Sequence, residues 1–135
     1  MRARIILPGR AEGAVLRLDG PLGFWGGVDP YSGALTDPRS PHHGAAIGGA
    51  ILMVPETRGS SSSSAVMLEL LAAGLAPAAI VMGRLDAILG LGILVAREMG
   101  WHTIPLLVLP PAEQMGFCDG ERVAIAEDGT IGRLL

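Results

Sequence analysis

Apolar runs separated by glycine and proline divide this chain into short elements. Residues Arg4–Leu7 and Ala14–Leu18 predict two strands on either side of a turn. Three continuous apolar runs, Ala45–Val54, Ala78–Met82 and Ile104–Leu109, predict strands buried on both faces. Strands of this kind are typical of a sheet that is covered by helices.

Two helices are predicted between the buried strands. Apolar residues from Val66 to Leu71 recur at helical spacing, and Gly74 follows where a left-handed residue would end that helix. Asp86 can cap the N-terminus of a second helix, which closes near Gly100. Strand and helix therefore alternate through the middle of the chain.

The C-terminal part predicts a β-hairpin. Arg122–Ala126 and Thr130–Leu134 read as strands, and Asp128-Gly129 between them is a favourable hairpin turn. We expect one α/β domain over residues 1–135, with a mixed sheet and two to three helices.

The segment from Gly20 to Gly44 is rich in glycine and proline and predicts a long loop. Such a loop inside a compact domain is uncommon and usually functional. Phe24 and Trp25 either anchor a turn, or flank Gly26 and Gly27 so that backbone can approach a substrate or partner. His42 is either a surface histidine or a contact to substrate or to a partner chain.

The serine run follows a buried strand and leads into a helix. Arg58 and Gly59 precede five serines, Ser60–Ser64. A flexible linker with one capping serine is the plain interpretation. The position favours another, because the start of a helix stabilises an anion or a developing oxyanion. Arg58 could bind a carboxylate or phosphate with both guanidinium nitrogens, and a serine could act as base if such donors stabilised its alkoxide.

Composition excludes several functions. All ten basic residues are arginine, so no lysine is present to form a Schiff base. A net charge of -3 without a basic cluster argues against nucleic acid. The single cysteine, Cys118, cannot hold an iron–sulfur or zinc site alone. The most apolar stretch, Ala87–Ala96, is half the length that spans a bilayer, and we expect a soluble cytoplasmic protein.

Several of these motifs occur together in one known family. They are Phe24-Trp25-Gly26-Gly27-Val28-Asp29-Pro30, Gly33, Asp37, Pro41-His42, Gly44, the run Gly48–Pro55, and Arg58-Gly59-Ser60-Ser61-Ser62. In this combination the chain resembles the small swivel component of the aconitase X family, from about Pro8 to Leu109.

The resemblance implies a hydro-lyase made of two components. A large subunit would carry the iron–sulfur cluster, and this chain would be the small subunit, a swivelling domain of β/β/α type with barrel-like strands. No cofactor or metal would be bound by this chain alone, and neither nucleic acid nor membrane is expected as a partner. The substrate would be a small hydroxy acid.

The resemblance also implies roles for individual residues. In the wider aconitase superfamily, a Gly-Ser-Ser-Arg loop carries the serine that removes a proton beside the substrate carboxylate. Matching that loop assigns the general base to Ser60, with Ser61 as second candidate. Substrate contacts are expected from Arg58, Gly59, Ser61, Ser62, Gly26, Gly27 and His42. Ser62 stands where aconitases carry a substrate-binding arginine, which disfavours a tricarboxylate substrate.

Three functions follow as hypotheses. The first is dehydration of cis-3-hydroxy-L-proline, favoured by the Phe-Trp-Gly-Gly turn and the five-serine run. The second is dehydration of mevalonate 5-phosphate, with Arg58 and the helix start binding the phosphate. The third belongs to another class, a non-catalytic module that binds a small anion at the helix start.

Overall fold

The computed structural model describes residues 1–58 and 61–134. The described chain forms seven strands: β1 Arg4–Leu7, β2 Ala11–Arg17, β3 Ile51–Val54, β4 Ala79–Met82, β5 Leu106–Val108, β6 Arg122–Ile125 and β7 Ile131–Arg133. Its helical segments are α1 Phe24–Gly27, α2 Ser62–Ala73, α3 Ala87–Glu98 and α4 Pro111–Gln114. Only α2 and α3 are longer than one turn, so the expectation of two to three helices is met by two long helices and two short turns.

The strands form one mixed sheet in the order β1-β5-β4-β3-β2-β6-β7. Strands β2, β3, β4 and β5 run parallel, as α/β crossovers require. The edge strands β1 and β7 pair antiparallel to their neighbours, and so does β6. The mixed α/β sheet and the C-terminal hairpin predicted from the sequence are thereby confirmed.

The two edges of the sheet meet, which curls it into a half-barrel. Ala3 N donates to Gly129 O at 2.9 Å, and Ile131 N donates to Met1 O at 2.8 Å. Arg2 and Thr130 form an antiparallel bridge between these hydrogen bonds. We call this contact between residues 1–3 and 129–131 the seam. It confirms the expectation of barrel-like strands.

Side chains on the two faces of the sheet belong to two separate cores. The inner core fills the half-barrel and includes Val15, Ile51, Met53, Val81, Leu107, Phe117, Val123 and Ile131. The outer core packs the other face against α2 and α3 and includes Leu52, Val54, Met67, Leu70, Ile80, Leu89, Ile93 and Leu106. Successive strand residues point alternately into the two cores, and because both cores are apolar, the strands appear in the sequence as continuous apolar runs.

The predicted helix ends are confirmed. The side chain of Asp86 accepts hydrogen bonds from Ile88 N and Leu89 N at the start of α3. Gly74 ends α2 with a left-handed φ of 72°. The two helices approach closely at Gly92, where an added Cβ would lie 2.8 Å from Ser64 O. Helix α3 therefore packs directly on the beginning of α2.

Some element boundaries differ from the prediction. The apolar run 45–54 forms a strand only over Ile51–Val54, because a turn containing Gly49, with a φ of 72°, precedes it. Strand β5 is shorter than 104–109, and β2 begins at Ala11 rather than Ala14. The turn α4 was not predicted, since four residues carry little periodicity.

Candidate functional site

A cleft of about 660 Å³ opens beyond the carboxyl ends of β2 and β3. In parallel sheets this edge is where ligands bind, because loops of adjacent strands diverge there. The described lining comes from three segments: Leu18, Asp19, Gly20, Pro21, Leu22, Gly23, Trp25, Gly26 and Gly27; Leu35, Thr36, Asp37, Pro38, Arg39, Ser40, Pro41 and His42; and Arg58. The cleft therefore brings together four of the residues predicted from the sequence, namely Arg58, Gly26, Gly27 and His42.

Arg58 is held at the cleft by pairing between the segments that follow β2 and β3. Arg58 N donates to Leu22 O at 2.9 Å, and Leu22 N donates to Glu56 O at 3.0 Å. The Arg58 side chain is exposed, and no hydrogen bond or ion pair to its guanidinium group is formed by the rest of the described chain. Its charge is available to an acidic ligand in the cleft.

The loop after β3 is also tied to helix α3. Thr57 Oγ1 donates to Asp86 Oδ2 at 2.6 Å, while Asp86 Oδ1 caps the helix. One carboxylate thus connects the residue before Arg58 to the N-terminus of α3. Sequence analysis predicted the cap but not this hydrogen bond, whose partners are 29 residues apart.

The Gly26–Gly27 turn forms one wall of the cleft. Phe24 is 1% exposed and anchors the turn, whereas Trp25 is 66% exposed and lines the cleft. Gly26 has a φ of 83°, a conformation that favours glycine. Thr36 fastens the turn from the opposite side, because Thr36 Oγ1 donates to Gly26 O at 2.9 Å and Thr36 N donates to Gly27 O at 3.1 Å.

His42 lies at the other wall and forms a pair with Asp119. His42 Nε2 is 2.7 Å from Asp119 Oδ2, and the His42 side chain is 15% exposed. Asp119 Oδ1 in turn accepts from Arg17 N at 2.6 Å, at the end of β2. Asp119 was not identified from the sequence, where only an Asp-Gly turn marks its position.

The charge state of Asp119 reflects these contacts. Partial burial raises the pKa of the Asp119 carboxyl group. Hydrogen bonds from the Arg17 backbone N–H and from His42, together with the charges of both side chains, lower it by more. The net pKa lies below its ordinary value, so Asp119 is a carboxylate at neutral pH.

A second carboxyl group, Asp37, lies on the cleft near two arginines. The Arg39 backbone N–H is the largest cause that lowers the pKa of Asp37, and desolvation opposes it. The Arg39 side chain and the charge of Arg58 lower the pKa further. The cleft thus holds both signs of charge, with Arg39 paired to Asp37 at 3.3 Å.

The serine run begins helix α2, as the sequence predicts. Gly59 and Ser60, which the sequence marks as substrate contact and general base, lie outside the described residues. Ser61 is the residue before the helix, is exposed, and makes no side-chain capping hydrogen bond. Ser62 is the first helical residue and is half-buried. Both follow Arg58 closely in the chain but lie outside the described lining of the cleft.

The donor atoms of this chain do not fit an iron–sulfur cluster. Such clusters are held by several thiolates, whereas this chain has one cysteine, Cys118, which is exposed. Among the described residues no three His, Cys, Asp or Glu side chains gather as a metal site would require. In the same part of the chain, no helix is both long and apolar enough to cross a bilayer.

Comparison with known proteins gives a consistent result. The model of the aconitase X swivel domain family matches residues 1–132. A cis-3-hydroxy-L-proline dehydratase of Hypocrea jecorina is 43% identical over 101 residues, which span 75% of this chain but 17% of that protein. A phosphomevalonate dehydratase small subunit of Thermococcus gammatolerans is 40% identical over 71% of this chain and 73% of its own.

A solved structure agrees over nearly the whole chain. The crystal structure of Thermococcus kodakaraensis aconitase X in its holo form has a TM-score of 0.86 and is 32% identical, covering 99% of this chain and 97% of that one. The match includes the mixed half-barrel and both long helices. With its curled sheet, its cleft and its serine helix start, this chain belongs to the aconitase X swivel domain family.

Proposed function

We propose that this chain is the small subunit of an aconitase-X-type dehydratase that eliminates water from cis-3-hydroxy-L-proline. The observation that carries the proposal is the cleft, where an exposed arginine, a glycine turn and a histidine meet beside the serine helix start. A relative 43% identical to this chain is named for this activity, which supports the choice of substrate.

In this proposal Ser60 removes the proton from the carbon beside the substrate carboxylate. The start of α2 directs backbone N–H groups and positive charge toward the serines, which would stabilise an alkoxide. Arg58 would bind the carboxylate and thereby fix that carbon relative to the base. Gly26, Gly27, Gly59, Ser61, Ser62 and His42 would complete the substrate contacts.

The electrophile that takes the hydroxyl group must then come from a second chain. We propose a large subunit that carries an iron–sulfur cluster, since the donor atoms of this chain do not fit one. Helix α3 offers a surface for such a partner, because its apolar residues Leu91, Leu94 and Val95, and Met99 directly after the helix, are between 37% and 53% exposed. This face starts beside the Thr57–Asp86 contact, next to the loop of the cleft.

The length of this chain supports a second candidate substrate, mevalonate 5-phosphate. The phosphomevalonate dehydratase small subunit of Thermococcus gammatolerans is a separate chain of which 73% matches this one. Arg58 and Arg39, both on the cleft, could bind a phosphate group in mevalonate 5-phosphate. Under this alternative the same serine and the same partner would act on a phosphorylated hydroxy acid.

The test is reconstitution of both chains. The small subunit is co-expressed with a large subunit from the same organism, purified without oxygen, and assayed for loss of water from each substrate. Turnover of cis-3-hydroxy-L-proline that requires both chains is the expected result. Turnover of mevalonate 5-phosphate alone would replace the substrate, and failure of the chains to associate would favour the anion-binding module.

A serine variant tests the proposed base. Ser60→Ala should reduce kcat by at least about a hundredfold, because proton abstraction loses its base, while the two chains still co-purify. Ser64→Ala is the matched control, because Ser64 belongs to the same run, has no assigned role in the reaction, and donates its hydroxyl hydrogen only to Ser61 O in the described chain. This variant should retain most activity. If Ser60→Ala keeps full activity, the base is Ser61 or a group of the large subunit.

A further inference from the structure

Asp119 makes a contact that the proposed reaction has not used. It lies in the turn after α4 and bonds the ring of His42, which is 77 residues away in sequence. Asp119 does not belong to the described lining of the cleft, whereas His42 does. The carboxylate therefore holds the histidine from behind the cleft wall.

The carboxylate is itself fixed by neighbouring backbone. Arg17 N donates to Asp119 Oδ1, and Gly120 N donates to Val15 O at 2.8 Å. These hydrogen bonds fasten the turn to the end of β2. The Arg17 side chain adds a hydrogen bond to Phe117 O at 2.9 Å, so the turn is held on both sides of Asp119.

The backbone of His42 is fixed as well. His42 N donates to Ser40 Oγ at 3.1 Å, and Ala45 N donates to His42 O at 2.9 Å. Both the ring and its backbone are thus held in place. A histidine held this way is suited to present one ring nitrogen in a fixed direction.

The hydrogen bond to Asp119 determines which nitrogen carries the proton. Since Asp119 is a carboxylate, it accepts, and His42 Nε2 must carry the hydrogen. In the neutral ring Nδ1 is then an acceptor, and no side chain or backbone group in the described ranges bonds to it. A ligand in the cleft that offers an O–H or N–H donor would complete this contact.

We infer that Asp119 is a positioning residue of the shared active site, which fixes His42 in the Nε2–H tautomer so that Nδ1 accepts a hydrogen bond from the substrate. The inference rests on the proposed function for its ligand, a hydroxy acid with a donor hydroxyl or amine. The other charged groups of this region are Arg17 and Asp19, which form an ion pair just after β2, and Asp37, Arg39 and Arg58, which line the cleft together with His42.

The tautomer is measurable on the full small subunit without any partner. Long-range ¹H–¹⁵N spectra of the labelled chain should show His42 as a single Nε2–H tautomer once the ring is neutral. His43 and His102 are exposed and serve as internal controls that should show the ordinary mixture. In Asp119→Asn, the amide NH₂ can face Nε2 and should shift His42 toward the Nδ1–H form.

The consequence for turnover is tested in the two-chain enzyme. Asp119→Asn should lower kcat/KM about tenfold or more, because Nδ1 then offers a donor where the substrate needs an acceptor. The matched control is Asp128→Asn, which also loses an exposed carboxylate bonded to a turn N–H, at Thr130, but lies at the seam. This control should leave kcat/KM unchanged.

Two results would overturn the inference. One is a wild-type His42 with the same tautomer mixture as His43; the other is full kcat/KM in Asp119→Asn with the tautomer changed. If the wild-type complex turns over neither substrate, the proposed function is wrong, and the ring spectra still decide whether Asp119 fixes His42.

Discussion

Gly83 shows how closely single atoms constrain the packing beyond the carboxyl ends of β3 and β4. It follows β4, and its N–H donates to Val54 O at 2.8 Å. A Cβ added there would lie 2.1 Å from Pro55 O and 2.8 Å from Pro111 Cγ. Pro55 O is a backbone atom and Pro111 begins α4, so neither can shift without a large energetic cost, and only glycine fits.

Gly83→Ala should therefore destabilise the protein by about 1–3 kcal/mol, the usual cost of overpacking a closed contact. Urea unfolding followed by circular dichroism measures this. Gly132→Ala is the matched control, because an added Cβ there meets nothing within 4 Å, and it should change stability by less than about 0.5 kcal/mol. Equal stability of the two variants would contradict the prediction.

The Asp119 carboxylate makes stability depend on pH. Its pKa in the folded protein is below the ordinary value of 3.8, so folding favours the ionised form. The stabilisation is complete above about pH 5, well above the unfolded pKa, and is lost as the pH falls through the folded pKa. The difference in unfolding free energy between wild type and Asp119→Asn should shrink between about pH 5 and pH 3. A difference independent of pH would contradict this assignment.

At the scale of single residues, the sequence predicts those site residues that stand in a short, recognisable motif. Arg58, Gly26, Gly27 and His42 stand in short motifs, and all four line the cleft. Asp119 has no such signal, because its role depends on a histidine that the fold brings to it from 77 residues away. The serine run is an equally local motif, but Gly59 and Ser60 lie outside the described residues, and the role assigned to the run stays a prediction.

At the scale of elements, one carboxylate links the start of α3 to the loop after β3. Asp86 uses Oδ1 to cap the helix and Oδ2 to accept from Thr57 Oγ1. The position of the N-terminus of α3 is therefore tied to that of Thr57, the residue before Arg58, by a single side-chain hydrogen bond. Helix α3 also contacts the start of α2 at Gly92, so both sides of the Arg58–serine segment depend on this helix.

The two functions of Asp86 can be separated by mutation. Asp86→Ala removes the cap and the contact to Thr57, and should cost about 1–2 kcal/mol. Thr57→Val removes only the second contact and should cost about 0.5–1.5 kcal/mol. Urea unfolding of both variants and of the double variant measures this. The double variant should lose less than the sum, and strict additivity would show that the contact does not contribute.

Helix caps were predicted well and strand limits less so. Asp86 and Gly74 act where their residue types indicate, because caps depend on local backbone geometry. The apolar run 45–54 was assigned to one strand, yet its first half is a turn in which Ile47 is buried while Ala46, Gly48 and Gly49 are exposed. Turn α4 carries one local signal that was not used, Pro111 at its first position.

At the scale of the whole molecule, the seam joins the first residues of the chain to its last hairpin. Gly129 lies at the centre, with a φ of 87°, and an added Cβ would be 2.4 Å from Ala3 O. The inner core lies directly behind it, including Ile131 and Val123. The close approach of the chain at Ala3 to residue 129 therefore requires a glycine there.

Gly129→Ala should open the seam and destabilise the domain. Gly100→Ala is the matched control, because its φ of 76° is equally left-handed but an added Cβ meets nothing within 4 Å. The control should cost about 1 kcal/mol for backbone strain alone. Gly129→Ala should cost about 1–3 kcal/mol more, from the contact with Ala3. Thermal or urea unfolding that ranks the two variants equally would contradict this.

The mixed sheet, its crossover helices and the hairpin followed from the apolar pattern. The strand order and the seam could not be predicted in this way, because the periodicity within one strand does not identify the strand that pairs with it. Residues 1–3 look unremarkable in the sequence, and their pairing with residues 129–131 is decided by the curvature of the whole sheet.

The seam also has a consequence for the order in which the chain assembles. Contacts between residues 3 and 129 close a loop that includes nearly the entire sequence, so their entropic cost is recovered only after the parallel strands have formed. Folding should therefore reach its transition state with β3, β4 and α3 in place and the seam still open. A mutation at the seam would then speed unfolding and leave the refolding rate nearly unchanged.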